Sequence, residues 1–168
     1  SEKHPILLSR TPYSCAPYGE RTFSPVWNGY LKNYFREGYI MVTQDVRGRW
    51  MSEGEYVNIR PFNANKKGTE IDEASDSYDA IDWLIKNLPD NNGNVGVFGI
   101  SYPGFYSTMA AASNHPALKA VSPQAPVTNW FIGDDFHHNG AFFQMDAFGF
   151  YSGFGQPRPK PTTVGPKE

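Results

Sequence analysis

The sequence predicts an α/β fold in which crossover helices connect the strands of a mostly parallel sheet. Short apolar segments typical of buried strands alternate along the chain with segments of helical periodicity. One strand-like segment also passes directly into a run of small residues through a glycine-rich corner. Because parallel strands need long crossover connections, this alternation indicates consecutive βαβ units.

The first half of the chain is predicted to contain two strands with a helix between them. Residues 5–8 are a short apolar strand. Residues 27–35 carry apolar side chains at a spacing that predicts one helical face. Residues 38–45 predict a second, largely buried strand. The glycine-rich stretch 47–56 then predicts a loop at the carboxyl end of that strand, where ligands of α/β sheets tend to bind.

The second half begins with an amphipathic crossover helix at residues 72–88, whose acidic residues concentrate in the first turns, where the helix dipole favours them. We expect a strand at 94–100, a helix at 105–113 and a strand starting at 117–121. The acids of the crossover segment are predicted to form its solvated face: Glu70, Asp72, Glu73, Asp76, Asp79 and Asp82.

The corner between the strand at 94–100 and the following helix reads Gly-Ile-Ser-Tyr-Pro-Gly at residues 99–104. This context is typical of a nucleophile elbow, in which a sharp turn holds Ser101 in a strained conformation with its hydroxyl exposed. The usual pattern is Gly-x-Ser-x-Gly, whereas here Pro103 holds the fifth position and the glycine follows it. An ordinary strand-turn-helix corner with an incidental serine is the alternative.

Four motifs occur in the order expected of one enzyme family: Arg-Thr-Pro-Tyr (10–13), Gln-Asp-Val-Arg-Gly-Arg with Ser-Glu-Gly-Glu-Tyr (44–56), the elbow (99–104), and Gly-Asp-Asp-Phe-His-His-Asn-Gly (133–140). From about residue 4 to about residue 151, the chain resembles the alpha-amino acid ester hydrolases. These belong to a broader group of serine hydrolases with cocaine esterase and the Xaa-Pro dipeptidyl peptidases. The resemblance implies an α/β-hydrolase core.

The catalytic residues of α/β-hydrolases follow the chain order serine, acid, histidine, so the acid and histidine are expected downstream of Ser101. The later histidines, His115, His137 and His138, come too soon to leave room for the remaining strands. We therefore expect residues 1–154 to be the N-terminal part of the hydrolase domain. Residues 155–168 are expected to be a Pro/Gly-rich loop or linker, and the resemblance implies that a helical cap, the rest of the sheet and a C-terminal β-sandwich follow.

Three residues are candidates for the acyl-transfer chemistry. Ser101 would attack the carbonyl of an ester or amide and form an acyl-enzyme. The backbone N–H of Tyr102 and the hydroxyl of Tyr13, which matches the tyrosine of the family's Arg-Thr-Pro-Tyr loop, would stabilise the oxyanion. A packed aromatic after a turn proline is the alternative for Tyr13.

Asp135 is the candidate for substrate binding. In alpha-amino acid ester hydrolases, carboxylates recognise the substrate's alpha-ammonium group, and Asp135 matches the member of that cluster contributed by this region. The neighbouring Asp134 is the alternative if the register differs by one, and both acids could instead be solvated loop residues. The resemblance implies substrates such as amino acid esters and the acyl side chains of β-lactams. An Xaa-Pro dipeptidyl peptidase, a plain carboxylesterase and a noncatalytic binding fragment remain the alternatives.

Composition and charge limit the classes of molecule that the protein is expected to bind. With 15 basic and 17 acidic residues the net charge is −2, so no basic surface is expected for nucleic acid or an anionic membrane. No cofactor and no metal are expected, since adjacent His137 and His138 point apart and lack a third ligand at suitable spacing. A small ester or amide is the expected substrate, and we expect the full-length protein to be a homo-oligomer. The resemblance favours a periplasmic or secreted location.

Two further sets of residues are expected to be structural. Asp45, Arg47 and Arg49 are predicted to form an ion-pair network with Glu53 that fixes the loop after the second strand. The single cysteine, Cys15, excludes an internal disulfide and is expected to be a packed or partly exposed thiol.

Overall fold

A computed structural model describes residues 2–129, 131–132 and 135–156. Its centre is a sheet of four parallel strands in the order β2-β1-β3-β4. The strands are β1 (His4–Thr11), β2 (Ile40–Asp45), β3 (Asn91–Ile100) and β4 (Leu118–Gln124). The predicted α/β class with a mostly parallel sheet and crossover helices is confirmed.

Five helices and a small hairpin complete the described part of the chain. The helices are α1 (Pro25–Asn28), α2 (Lys32–Arg36), α3 (Glu73–Asn87), α4 (Tyr102–Ala112) and α5 (Gln144–Ser152). The antiparallel hairpin is formed by β5 (His137–His138) and β6 (Ala141–Phe142). Within these residues, no helix combines the length and the apolar character needed to cross a membrane.

Helix α3 is the predicted crossover helix and begins where the sequence indicates. The carboxylate of Asp72 accepts a hydrogen bond from Ser75 N, and the Ser75 hydroxyl accepts one from Asp72 N, which completes a capping box. Ile81 and Leu84 lie on the buried face. The predicted bounds of 72–88 agree with those of the helix and its two cap residues. The agreement follows because the capping residues and the apolar periodicity both lie within this short stretch of sequence.

The main core lies between the sheet and helices α3 and α4. Alternate residues of the two central strands point into it, as the two-residue period of a strand requires. Its wholly or almost wholly buried members are Ile6, Leu8, Ile81, Leu84, Val95, Val97, Ala110 and Ala117. This packing holds the carboxyl ends of β1 and β3 side by side, so the segments after Thr11 and Ile100 leave the sheet at the same edge.

Two predictions about the segment before and within β2 were wrong. The helix expected at residues 27–35 is split, because the backbone leaves the helical region at Gly29, with φ −98° and ψ −103°. Of its apolar side chains Leu31 is buried, but Tyr30 is 61% exposed, so little packing supports one longer helix. Strand β2 is only half-buried because it pairs with β1 alone in the described sheet.

The prediction of a solvated acidic face on α3 was wrong for three of its six acids, whereas Glu70 and Asp79 are exposed and Asp82 is partly exposed. Asp72, Glu73 and Asp76 are buried. Asp72 pairs with Lys66, six residues earlier in the chain, whereas Glu73 and Asp76 pair with the more distant Arg10 and Arg47, respectively. A buried carboxylate is stable only with such partners, which helical periodicity alone does not reveal.

Candidate active site

Ser101 lies at the turn between β3 and α4 and has the strained backbone of a nucleophile elbow. Its φ is 62° and its ψ is −120°, a conformation that non-glycine residues rarely adopt. Ser101 N donates to Gln124 O at 2.9 Å, and Ser101 O accepts from Phe105 N at 3.1 Å. The side chain is exposed. The backbone is therefore held firmly while the hydroxyl remains accessible.

The displaced glycine of the motif has a steric explanation. A Cβ at Gly99 would lie 2.2 Å from Pro103 O, and a Cβ at Gly104 would lie 2.6 Å from Gln124 O. Both neighbours are main-chain atoms, so neither can rotate away. Pro103 is tolerated because it lies in the first turn of α4, where its missing N–H would have no intrahelical acceptor. Glycine is therefore required at position 104, one residue later than in the usual pattern.

Tyr13 is brought together with Ser101 by the loop that follows β1. Burial raises the pKa of Tyr13 above its ordinary value and the neighbouring Tyr102 adds to this, while a hydrogen bond with the Ser101 side chain opposes it. Tyr13 N donates to Thr11 Oγ1 at 3.0 Å, and the Tyr13 ring packs edge-on against Tyr102 with centroids 6.2 Å apart. Because the phenol stays protonated at neutral pH, it can donate a hydrogen bond beside the serine.

The two parts of Tyr102 have different environments. Its N–H is the first of α4 and therefore has no intrahelical acceptor. Its side chain is wholly buried, and the hydroxyl donates to Asn58 Oδ1 at 2.7 Å and accepts from Ile59 N at 2.8 Å. The side chain thus ties the start of α4 to the loop after Tyr56, whose hydroxyl lies 2.7 Å from that of Tyr102.

Asp135 is exposed in the bend before β5; Asp134 lies outside the described residues. The adjacent Phe136 is buried and packs against Phe150, with ring centroids 5.7 Å apart, and Phe150 stacks on Tyr102 at 6.4 Å. Asp135 is therefore connected to the elbow through two aromatic rings.

The negative charge of Asp135 affects the pKa of Tyr151 in α5. Burial is the main cause that raises the pKa of Tyr151, and the negative charge of Asp135 raises it further. A hydrogen bond with Asn58 acts in the opposite direction. Asn58 also accepts a hydrogen bond from the hydroxyl of Tyr102 at the start of α4.

Arg10 is a buried residue that the sequence analysis did not single out. Its Nε donates to Gln44 Oε1 at 2.8 Å, and a terminal nitrogen donates to Ser77 Oγ at 2.8 Å and pairs with Glu73 at 3.3 Å. Burial raises the pKa of Glu73, although Arg10 opposes this effect. Arg10 therefore joins the ends of β1 and β2 to α3 just before the Tyr13 loop. Its position in the Arg-Thr-Pro-Tyr motif was the available signal.

The loop network after β2 has different partners from those expected. Arg47 makes a two-point ion pair with Asp76 of α3, at 2.6 and 2.8 Å. Glu53 contributes its main-chain carbonyl, which accepts from Gly48 N at 2.9 Å. Asp45 and Arg49 bind the segment around Tyr13 through hydrogen bonds.

His115 and His137 follow Ser101 in the chain and contact other residues. His115 precedes β4 at the opposite edge of the sheet, and the seven residues of that strand span about 20 Å. It is buried against Tyr78 and its Nδ1 accepts from Ala117 N at 3.1 Å. His137 packs between the rings of Phe131 and Phe142. Among the described residues, no group of three or more His, Cys, Asp or Glu side chains could hold a metal ion.

A cavity of about 320 Å³ opens beside the elbow. Its wall includes residues of the loop after β1, of α1, β2 and β3, and of the first turn of α4: Tyr13, Cys15, Trp27, Thr43, Ile100 and Pro103. Cys15 is half-buried, and burial is the main cause that raises the pKa of its thiol, followed by the charge of Asp45. The thiol is therefore protonated at neutral pH and contributes to the cavity as a small apolar group.

Comparison with solved structures supports this architecture. An alpha-amino acid ester hydrolase superposes with a TM-score of 0.76 and 41% identity, over 90% of this chain and 25% of that one. An aminopeptidase from the marine sediment archaeon Thaumarchaeota archaeon superposes with a TM-score of 0.76 and 39% identity, over 89% of this chain and 25% of that one.

Sequence comparison gives the same grouping. Cocaine esterase of Rhodococcus sp. (strain MB1 Bresler) is 34% identical over 119 residues, which cover 71% of this chain and 18% of that protein. The chain thus spans about a fifth of this relative's length. Residues 1–164 match the family described as X-Pro dipeptidyl-peptidase (S15 family). Since that match covers nearly every residue, the chain belongs to the S15 family of hydrolases, whose solved relatives share its α/β-hydrolase-like core.

Proposed function

We propose that this chain supplies the nucleophile and the oxyanion-binding groups of a serine hydrolase that cleaves esters or amides of alpha-amino acids. The observation that carries the proposal is the geometry of Ser101, whose exposed hydroxyl sits on a strained elbow next to Tyr102, against which the Tyr13 ring packs. The acid and histidine of the triad would lie outside this segment.

The reaction begins when Ser101 Oγ attacks the substrate carbonyl and a histidine accepts the hydroxyl proton. The carbonyl oxygen becomes an oxyanion, to which the Tyr13 hydroxyl and the Tyr102 N–H donate. The intermediate then expels an alcohol or an amine, which takes up the proton from the histidine, and an acyl-Ser101 ester remains. Water hydrolyses this ester and restores the serine. One oxyanion donor is worth about 3 kcal/mol in the transition state.

The preference for alpha-amino substrates rests on Asp135. An ammonium ion that enters a partly dry pocket needs an opposite charge, since its unpaired desolvation costs several kcal/mol. Asp135 is exposed, and its negative charge contributes to the raised pKa of Tyr151 in α5. The names of the two solved relatives, an alpha-amino acid ester hydrolase and an aminopeptidase, are consistent with substrates of this kind. The acyl side chains of β-lactam antibiotics that carry a free amino group are included in the proposal.

A plain esterase is the second candidate, favoured by the 34% identity to cocaine esterase. It would use the same Ser101 and Tyr13 in a pocket without an ammonium site. A peptidase is also a candidate, because the family is described as X-Pro dipeptidyl-peptidase. Selectivity for the substrate's amino group therefore separates the first proposal from the plain esterase.

The nucleophile is tested by covalent labelling of the complete protein with a fluorophosphonate. We expect a single adduct by intact-mass spectrometry, mapped to Ser101 by peptide analysis and absent in Ser101→Ala. Labelling that persists in Ser101→Ala would refute the assignment. Exposed Ser122 of β4 provides the control, because Ser122→Ala should leave the adduct unchanged.

Selectivity is tested with an alpha-amino ester and its desamino analogue at neutral pH. Asp135→Asn should lower kcat/KM for the ammonium substrate, by a factor that corresponds to about 2 to 5 kcal/mol of transition-state free energy. The kcat/KM for the desamino analogue should fall much less. Asp146→Asn, at an exposed acid in the first turn of α5, is the matched control and should affect neither. Equal losses for both substrates in Asp135→Asn would favour the plain esterase and leave Asp135 as a loop acid.

A further inference from the structure

We infer that Asp45 and Arg49 are positioning residues for Tyr13, which they hold through its main chain on both sides. This inference rests on the proposed oxyanion role of Tyr13. A donor aids acyl transfer only if it is already placed where the charge develops, because moving it there during the reaction would consume the gain. The Tyr13 phenol must therefore be held in position by contacts that exist before the reaction.

The Tyr13 side chain is not fixed by its own packing. Its exposed fraction is 44%, and its aromatic contacts are edge-on or tilted, with Tyr102 at 6.2 Å and Phe154 at 6.0 Å. The residue follows the end of β1, so it is outside the hydrogen-bond ladder of the sheet. Its position must therefore be set by the main chain on either side.

The peptide before Tyr13 is held by two neighbouring residues of the segment after β2. Pro12 O accepts from Arg49 Nε at 3.0 Å and from Trp50 Nε1 at 3.1 Å. Arg49 is 8% exposed, and its guanidinium carbon lies 5.3 Å from the ring centre of Tyr56 and 5.1 Å from that of Phe154. Since the guanidinium is packed between rings, the carbonyl of Pro12 has a fixed partner.

The segment after Tyr13 is held by the carboxylate of Asp45. Oδ1 accepts from Cys15 N at 2.9 Å, and Oδ2 accepts from the Tyr18 hydroxyl at 2.6 Å and from Met51 N at 3.2 Å. Asp45 is 5% exposed. Burial raises the pKa of Tyr18, and its hydrogen bond to Asp45 raises it further, so the phenol remains a donor to this carboxylate. One buried acid thus joins the loop after Tyr13 to the loop after β2.

These contacts explain why the motif at 44–49 belongs to the site although none of its side chains is proposed to touch substrate. Residues 12 and 15 flank Tyr13 and are both bound by the chain segment that leaves β2. The backbone adds a direct link, since Val46 N donates to Thr11 O at 3.0 Å. A change at Asp45 or Arg49 is therefore expected to act on turnover through Tyr13.

The test is a double-mutant cycle on the complete protein, with Asp45→Asn, Tyr13→Phe and the combined variant. Asparagine keeps the shape of Asp45 but has a single acceptor oxygen where the carboxylate has two, so it cannot satisfy all three donors. We expect Asp45→Asn to lower kcat by about tenfold or more with KM changed less than about threefold. In the Tyr13→Phe background the same change should lower kcat by less than about threefold, because its effect passes through Tyr13.

The control is Asp72→Asn, at an equally buried acid that caps α3 and does not touch the Tyr13 loop. Asp72→Asn should lower kcat by the same small factor in the wild-type protein and in the Tyr13→Phe variant. If Tyr13→Phe lowers kcat but Asp45→Asn has no effect on kcat, or an equal effect in both backgrounds, the positioning role is overturned and the oxyanion proposal stands. If Tyr13→Phe leaves kcat unchanged, both are overturned. Should Asp45→Asn not fold, Trp50→Phe replaces it in the same cycle, since it removes one donor to Pro12 O and keeps a ring.

Discussion

The substitution Gly104→Ala tests the steric argument for the elbow most directly. The new Cβ would lie 2.6 Å from Gln124 O, 3.1 Å from Pro126 Cα and 3.2 Å from Gly99 O. Restoring an ordinary contact of 3.4 Å to the carbonyl requires a shift of about 0.8 Å (3.4 minus 2.6) in main-chain atoms. Gln124 O is also the acceptor for Ser101 N, so this shift disturbs the hydrogen bond that holds the Ser101 backbone.

The expected cost combines two effects. Overpacking costs about 1 to 3 kcal/mol, and weakening one main-chain hydrogen bond costs about 0.5 to 1.5 kcal/mol. We therefore expect Gly104→Ala to lower the free energy of unfolding by about 1.5 to 4.5 kcal/mol. The rate of fluorophosphonate labelling at Ser101 should fall as well, because the serine backbone loses its geometry.

The measurements are urea unfolding and the labelling rate of the complete protein. Gly149→Ala is the matched control: it lies inside α5 with nothing within 4 Å of the added Cβ. Alanine at that position should stabilise the helix by up to about 1 kcal/mol and leave labelling unchanged. If Gly104→Ala matched the wild-type protein in both stability and labelling rate, close packing would not be the reason for glycine at position 104.

Three further predictions follow from the core, the buried acids and the extent of the segment. Burial opposes ionisation of Asp72, but hydrogen bonds from Asn63 N, Lys66 and Ser75 N outweigh it and lower its pKa to about 2. Its stabilising contribution is complete above about pH 4 and disappears as the pH falls towards 2. The free energy of unfolding should therefore fall by about 2 kcal/mol less between pH 7 and pH 2 in Asp72→Asn than in the wild-type protein, as measured by urea unfolding at both pH values. Leu8→Ala, at a wholly buried position, should cost about 2 to 5 kcal/mol in the same assay, and a loss below about 1 kcal/mol would contradict the assigned core. Residues 1–168 expressed alone should show no serine-dependent ester hydrolysis; activity comparable to that of the complete protein would contradict a triad completed elsewhere.

Much of the fold was predictable because its signals are local. The spacing of Ile81 and Leu84 and the acids of the first turns are local to α3, and they placed the helix correctly. The elbow was predictable for the same reason, since a strand, a turn and a helix follow one another within about twenty residues around Ser101. The catalytic roles of Ser101, Tyr102 and Tyr13, the binding role of Asp135 and the domain boundary at 154 remain predictions.

What the sequence by itself determined is therefore the α/β class, the position of α3 and the identity of the elbow serine, because each depends on residues close together in the chain. Only the tertiary structure decided the partners of the buried charges. Arg10 meets Glu73, and Arg47 meets Asp76, across 63 and 29 residues of chain. The split of residues 27–35 was decided in the same way, by how little of that segment the core covers. Periodicity describes which residues share a face, but the burial of that face depends on what the rest of the chain brings against it.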